Sequence, residues 1–167
     1  MKRRASPFLS IVQDEKVWYN KLMICAQDAQ GTERRMGKTM DEKRVRQLNG
    51  LQLAFIGDTI YDLFVRGDVL SRHDESVQKL HRRAISRVNA AAQARAFDLI
   101  EPLLTQEEAD VARRARNAHS RPPKNQNPGD YSRATALEAL CGYLYLCGRH
   151  ERLQQLLGTI NQEEQNG

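Results

Sequence analysis

Hydrophobic positions divide the chain at about residue 40. From Met40 onward apolar residues recur at helical spacing, and no segment sustains the two-residue alternation of a strand, so the pattern predicts an all-α fold. A long helix is expected from about Asp41 to Leu70, broken by Ser71-Arg72-His73-Asp74. Asp74-Glu75-Ser76-Val77 then reads as a new start, with acids in its first turn and helical pattern to about Ile100. Ser86 or Asn89 marks a break inside that stretch, and Pro102 ends it. Thr105-Gln106-Glu107-Glu108 spells a capping box, and the helix it opens runs through Arg116. One long loop, Asn117 to Asp130, leads into an apolar helix that Gly148 stops. A last amphipathic helix, about Arg149 to Asn161, turns Leu153, Leu156, Leu157 and Ile160 toward the core, and residues 162–167 read as a polar tail.

Residues 1–39 do not share this pattern. Met1-Lys2-Arg3-Arg4 and the short apolar run Phe8-Leu9-Ser10-Ile11-Val12 resemble a signal peptide only faintly. The run is too short and no small-residue cleavage site follows. Gly31 to Thr39 reads as a polar linker. The expectation is a flexible or leader-derived N-terminal extension over 1–39, with Met36 or Met40 as the alternative start, and one helical domain over 40–161.

Two of the apolar segments carry acids. Between Leu48 and Arg66 lie Asp58 and Asp62. At about 100° per residue, Asp58, Thr59, Asp62 and Arg66 share one stripe, with Ile56, Ile60, Leu63 and Phe64 on the other side. Gly57 sits mid-segment, where it costs about 1 kcal/mol relative to Ala, and such a glycine marks a close approach to the backbone. Glu138 is the only charged residue from Ala134 to Cys147, and Gly142 follows it on the same face. Two apolar helices of this kind pack together, which brings Asp58 and Glu138 close enough to repel. A divalent cation resolves that conflict, and hard oxygen donors suit Mg²⁺. The alternative is that both acids point to solvent or pair with Arg66 or Arg133.

Charge and composition narrow the chemistry further. With 28% charged and 40% apolar residues the chain is globular, and its net charge of +5 is concentrated locally. Arg113, Arg114, Arg116, Arg121, Lys124 and Arg133 span a stretch with a single acid, Asp130. A basic helix end followed by a proline-stiffened loop suits a phosphate backbone, the alternative being a basic surface connector. Lys79, His81, Arg82, Arg83 and Arg87 read as a solvated helix face. Three cysteines, Cys25, Cys141 and Cys147, with no C-x-x-C, argue against a disulfide framework or a zinc site and fit a reducing cytoplasm. No apolar run approaches the about 20 residues of a membrane span. Phosphate-loop, dinucleotide-binding, zinc-protease and nucleophile-elbow signatures are all missing, and the four histidines lie in polar segments.

Leu53-Ala54-Phe55-Ile56-Gly57-Asp58 resembles the signature helix of the ribonuclease III catalytic domain, roughly E-x-x-E-F-L-G-D. Thr135-Ala136-Leu137-Glu138-Ala139-Leu140 resembles that family's second acidic helix. Leu48-Asn49-Gly50-Leu51, Leu80-His81-Arg82-Arg83, Arg114-Ala115-Arg116-Asn117-Ala118 and Pro123-Lys124-Asn125 are similar to the Mini-ribonuclease III subfamily. The resemblance covers about residues 41–160. It implies a homodimeric helical domain in which Asp58 and Glu138 hold Mg²⁺ for hydrolysis of double-stranded RNA, with maturation of 23S ribosomal RNA precursors as the role and no DNA substrate. Two further acids of the longer ribonuclease III enzymes are replaced here by Ala54 and Thr135, and Asp62 is a weaker candidate for support of the site. Those enzymes also carry a double-stranded-RNA-binding domain. The resemblance therefore assigns RNA grip to Arg113, Arg114, Arg116, Arg121 and Lys124. The rival reading is a non-catalytic helical RNA-binding or ribosome-associated module.

Overall fold

The computed structural model describes residues 40–118 and 124–166. The expectations for residues 1–39 and for Arg121 lie outside the described residues. The described chain is helical: α1 Glu42–Gln47, α2 Gly50–Arg72, α3 Val77–Val88, α4 Ala90–Ile100, a 3₁₀ turn Glu101–Leu103, α5 Gln106–Arg116, α6 Pro128–Leu146 and α7 His150–Asn166. No strand occurs among the described residues, so the all-α expectation holds.

Local chemistry sets the boundaries. The single helix expected from Asp41 to Leu70 is instead two. Asn49 takes an extended conformation and caps α2. Its side chain accepts from the Gln52 N–H while the Gln52 side chain accepts from the Asn49 N–H, both at 2.9 Å. A reciprocal cap of this kind favours a fresh start over continuation. The apolar run continues through Asn49 and Gln52, so hydrophobic periodicity alone does not show this cap. Asn89 marks the α3–α4 break and caps α4 by accepting from Ala92. The capping box expected at Thr105 and Glu108 forms. Gly148 ends α6 at φ 70°, in the left-handed region where only glycine is unstrained. The final helix runs on to Asn166, through residues expected to form a polar tail.

Helix α6 is the centre of the domain. Along it Ala134, Ala136, Leu137, Ala139, Leu140, Cys141, Tyr143 and Leu144 are all buried, and α2, α4 and α5 pack around it. Tyr61, Val65, Phe97, Ile100, Val111 and the expected α7 residues Leu153, Leu156, Leu157 and Ile160 complete the core. Ion pairs clamp the periphery. Glu107 accepts from Tyr143 Oη (2.7 Å) and Arg149 (2.7 Å) and pairs with Arg46 (3.0 Å). Buried Glu108 holds Arg152 through both carboxylate oxygens at 2.9 Å.

The tightest packing is between α2 and α6. A methyl group at Gly57 would overlap the carbonyl oxygen of Glu138 and come within 2.8 Å of the Gly142 amide nitrogen. One at Gly142 would overlap the Leu53 carbonyl oxygen and meet Ile56 Cγ2 at 2.9 Å. The two backbones therefore touch directly, as Gly57 led one to expect. Gly142, on the same face as Glu138, admits the backbone of α2. Gly57→Ala should destabilise the domain by about 3 kcal/mol or more, read from the urea midpoint. Gly67→Ala, in the same helix with open space around its Cβ, should be neutral or gain about 0.5–1 kcal/mol. Equal stability of the two variants would contradict this crossing.

Candidate active site at the helix crossing

Asp58 follows Gly57 on α2, and Glu138 is the α6 residue whose carbonyl Gly57 meets, so both acids stand at the point where the helices touch. Asp58 is exposed and Glu138 is partly buried. Helix α6 is set in place by Asn127, whose side chain accepts from the Gly129 and Asp130 N–H groups, with Pro128 at the first helical position. The stripe expected on α2 is only partly realised. Ile60 is buried, but Leu63 is 43% exposed and Phe55 is 82% exposed. Of the residues expected on the apolar side, Ile56 and Phe64 pack against the core with Ile60 and only Leu63 departs, so that with Phe55 an apolar flank of α2 faces outward.

Electrostatics couple the two acids. Burial pushes the Glu138 carboxyl up, the Asp58 charge pushes it further, and the Gln93 side-chain amide opposes both; the result is about 7 against an ordinary 4.5. Gln93 belongs to α4 and is 3% exposed. Its amide acts on Glu138, yet its Nε2 makes no hydrogen bond of full geometry. Burial, and next the Glu138 charge, push the neighbouring Cys141 thiol up to about 12, which keeps it protonated and unreactive. Cys141 and Cys147 are free thiols, as expected.

The proposed alternative partners are occupied elsewhere. Arg66 binds Asp62 at 2.6 Å, and Arg133 binds Asp130 at 2.8 Å and reaches Asp98 at 3.5 Å. Among the described residues neither Asp58 nor Glu138 forms an ion pair. Asp62 is committed to Arg66. Ala54 is buried, and the Thr135 hydroxyl donates to the Tyr131 carbonyl at 2.9 Å, so the positions of the two missing acids add no ligand charge. No group of three or more His, Cys, Asp or Glu suited to a metal occurs among the described residues. Two converging carboxylates without a cationic partner fit Mg²⁺, which keeps several waters and is held by one or two carboxylates together with substrate phosphate.

The basic residues are variously engaged. Arg113 pairs with Asp110 (2.6 Å) and Arg116 with Glu101 (3.0 Å), the latter also lying over the Phe97 ring. Arg114 reaches only the Arg46 carbonyl, at 3.5 Å, and Lys124 is exposed. Gln93 carries little signal in the sequence. Its only signal is a long polar side chain inside the otherwise small, apolar run Ala90 to Ala96.

Residues 51–149 match the Ribonuclease III domain family. The chain is 46% identical over 108 residues to the Mini-ribonuclease 3 of Symbiobacterium thermophilum, covering 64% of this chain and 83% of that protein. It is 41% identical over 119 residues to that of a Thermoanaerobacter species, covering 71% and 84%. A crystal structure of a Fusobacterium nucleatum protein superposes with a TM-score of 0.66 at 30% identity, over 72% of this chain and 97% of that one. Among the described residues, no helix is long and apolar enough to cross a membrane. The chain belongs to the ribonuclease III domain family, among its Mini-ribonuclease 3 members, a family of metal-dependent endoribonucleases acting on double-stranded RNA.

Proposed function

We propose that this chain cleaves double-stranded RNA through Asp58 and Glu138 with Mg²⁺ as its metal. On this reading it acts as a cytoplasmic homodimer that matures the ends of the 23S ribosomal RNA precursor, with residues 40–161 as the catalytic domain. The observation that carries the reading is the meeting of two uncompensated carboxylates at the α2–α6 contact, one exposed and one backed by the core.

Asp58 stands where substrate can reach it. Glu138 is partly buried on α6, and its position relative to Asp58 is set by the backbone contact at which both stand. Asp58 and Glu138 would hold Mg²⁺, which when bound would supply Lewis-acid polarisation of a phosphoryl oxygen and a water of lowered pKa. Both carboxylates must be ionised to hold it, so protonation of Glu138 opposes activity at low pH. The basic group Arg113, Arg114, Arg116, Arg121 and Lys124 contacts phosphate oxygens of the duplex. Arg113 and Arg116 can exchange their exposed ion pairs at little cost, since such pairs contribute about 0–1 kcal/mol. The outward flank of α2, with Leu51, Phe55 and Leu63, packs against a second copy of the chain and sets two sites for the two strands.

Three measurements check this reading. Asp58→Asn and Glu138→Gln should each lower Mg²⁺-dependent cleavage of a labelled RNA duplex by about 100-fold or more while circular dichroism stays native; cleavage at wild-type rate by either variant contradicts the assignment. Phe55→Glu should shift the sedimentation coefficient from dimer to monomer, and an unchanged value contradicts the α2 interface. The third is the pH dependence of stability in EDTA. The folded protein keeps the Glu138 proton up to about pH 7, whereas the unfolded chain releases it near 4.5. The folded state therefore binds more protons in that window, and stability falls as pH rises from about 4.5 to about 7. Glu138→Gln cannot titrate and should lose that downward component of the slope; identical slopes in the two proteins contradict it.

A further inference from the structure

Away from the helix crossing, α2, α3, α4 and α7 line a cavity of about 340 Å³. Neither Asp58 nor Glu138 contributes to it. Asp68 does, and the helix rise of about 1.5 Å per residue puts it about 15 Å along α2 from Asp58. The lining is cationic. Arg72 and His73 come from the end of α2, Arg87 from α3 and Arg95 from α4, against one acid, Asp68. Guanidinium groups are always charged, so three of them against one carboxylate leave two positive charges over, even with His73 neutral. The acid is already committed. Asp68 accepts from Arg72 Nε (2.6 Å), Arg87 Nη1 (2.6 Å) and Asn161 Nδ2 (3.1 Å), and Arg87 Nη2 donates to the Asn161 side-chain oxygen. These bonds fix Arg72 and Arg87 at the wall, so their charge is ordered before any ligand arrives. Arg95 differs from them: it is exposed, and among the described residues it has no ion pair or hydrogen bond.

We propose that this cavity is an anion site, separate from the acid pair, that takes a phosphate group. The lining chemistry selects that ligand. Ala92 is the only apolar residue in the wall, so nothing there holds an aromatic or aliphatic body. The volume lies at the small end of the range of about 300–1,000 Å³ for small-molecule sites, which suits a phosphate and a short attachment. A phosphate presents several acceptor oxygens, and guanidinium groups arriving from separate helices can engage them together. Metal cations are repelled by the same excess of charge. Two sources offer this group: a phosphate of an RNA lying across the domain, or a free phosphate or small phosphorylated molecule. The function proposed above makes RNA available near the cavity, but the site itself does not depend on that reading.

The test titrates inorganic phosphate into the full-length protein in EDTA, with ionic strength held constant by chloride, and follows the arginine side-chain N–H resonances. Arg95→Ala is compared with wild type and with Arg44→Ala, which removes the same charge from an exposed place on α1. Both Arg44 and Arg95 are exposed, so both variants should keep the native circular dichroism. Wild type and Arg44→Ala should give saturable shifts of equal affinity, and Arg95→Ala should bind phosphate about 10-fold more weakly. Binding that does not saturate, or equal affinity in Arg95→Ala and Arg44→Ala, would overturn the proposal. The source is read from binding of an RNA duplex in EDTA, with Asp58→Asn as the common background. If the phosphate belongs to RNA, Arg95→Ala weakens duplex binding, the slope of log affinity against log salt falls by about 1, and inorganic phosphate competes. Unchanged duplex binding alongside weakened phosphate binding assigns the site to a free phosphorylated molecule. None of these readouts involves cleavage. Should Asp58→Asn cut duplex RNA like wild type, the active-site reading fails while the phosphate titration still decides the cavity.

Discussion

The direct contact of two helix backbones, Gly57 on α2 against Glu138 and Gly142 on α6, governs the rest of the molecule. Helices whose contact residues carry side chains pack about 8–10 Å apart between axes, and only small residues at the crossing permit closer approach. A glycine on each side lets the main chains meet. The consequence is chemical as well as mechanical. Residues adjacent to such a contact have little freedom to separate, so Asp58 and Glu138 are kept together despite their mutual repulsion. The packing of Phe97, Leu140, Leu144 and Tyr61 supplies the stability against which that repulsion is sustained. Glycine here serves closeness and not flexibility.

The two acids are not equivalent, and their difference follows from where they sit. Asp58 is exposed on α2; Glu138 is partly buried on α6, against which α4 packs. Burial and a like charge both favour the neutral form of Glu138, and Gln93 provides the counterweight. Elsewhere in the domain buried or half-buried acids are matched with arginine, as in Glu108 with Arg152 and Glu107 with Arg149 and Arg46. The contrast separates structural from functional carboxylates within one small fold. Structural acids are paired in full; on the function proposed here, the acids at the crossing are left for a cation.

Much of this was legible in the residues. The helical spacing, the Thr105–Glu108 box, the break at Asn89 and the stop at Gly148 are local signals and appear as expected. Gly57 and the isolated Glu138 pointed to the crossing because each is anomalous within its own apolar segment. What was not legible depended on tertiary context. The break between α1 and α2 is decided by one reciprocal cap inside an apolar run. The exposure of Phe55 and Leu63 cannot follow from periodicity, which places residues on faces without saying which faces are covered. Gln93 joins the site through a helix far along the chain, and its local sequence has no motif to announce it.

The central claim is that the crossing makes Asp58 and Glu138 one metal site. Anomalous diffraction from crystals soaked in Mn²⁺ tests this most directly. The account predicts a single strong anomalous peak in each subunit within bonding distance of carboxylate oxygens from both residues. Peaks confined to other surface acids, or an Asp58 and Glu138 pair without any peak at saturating Mn²⁺, would contradict it.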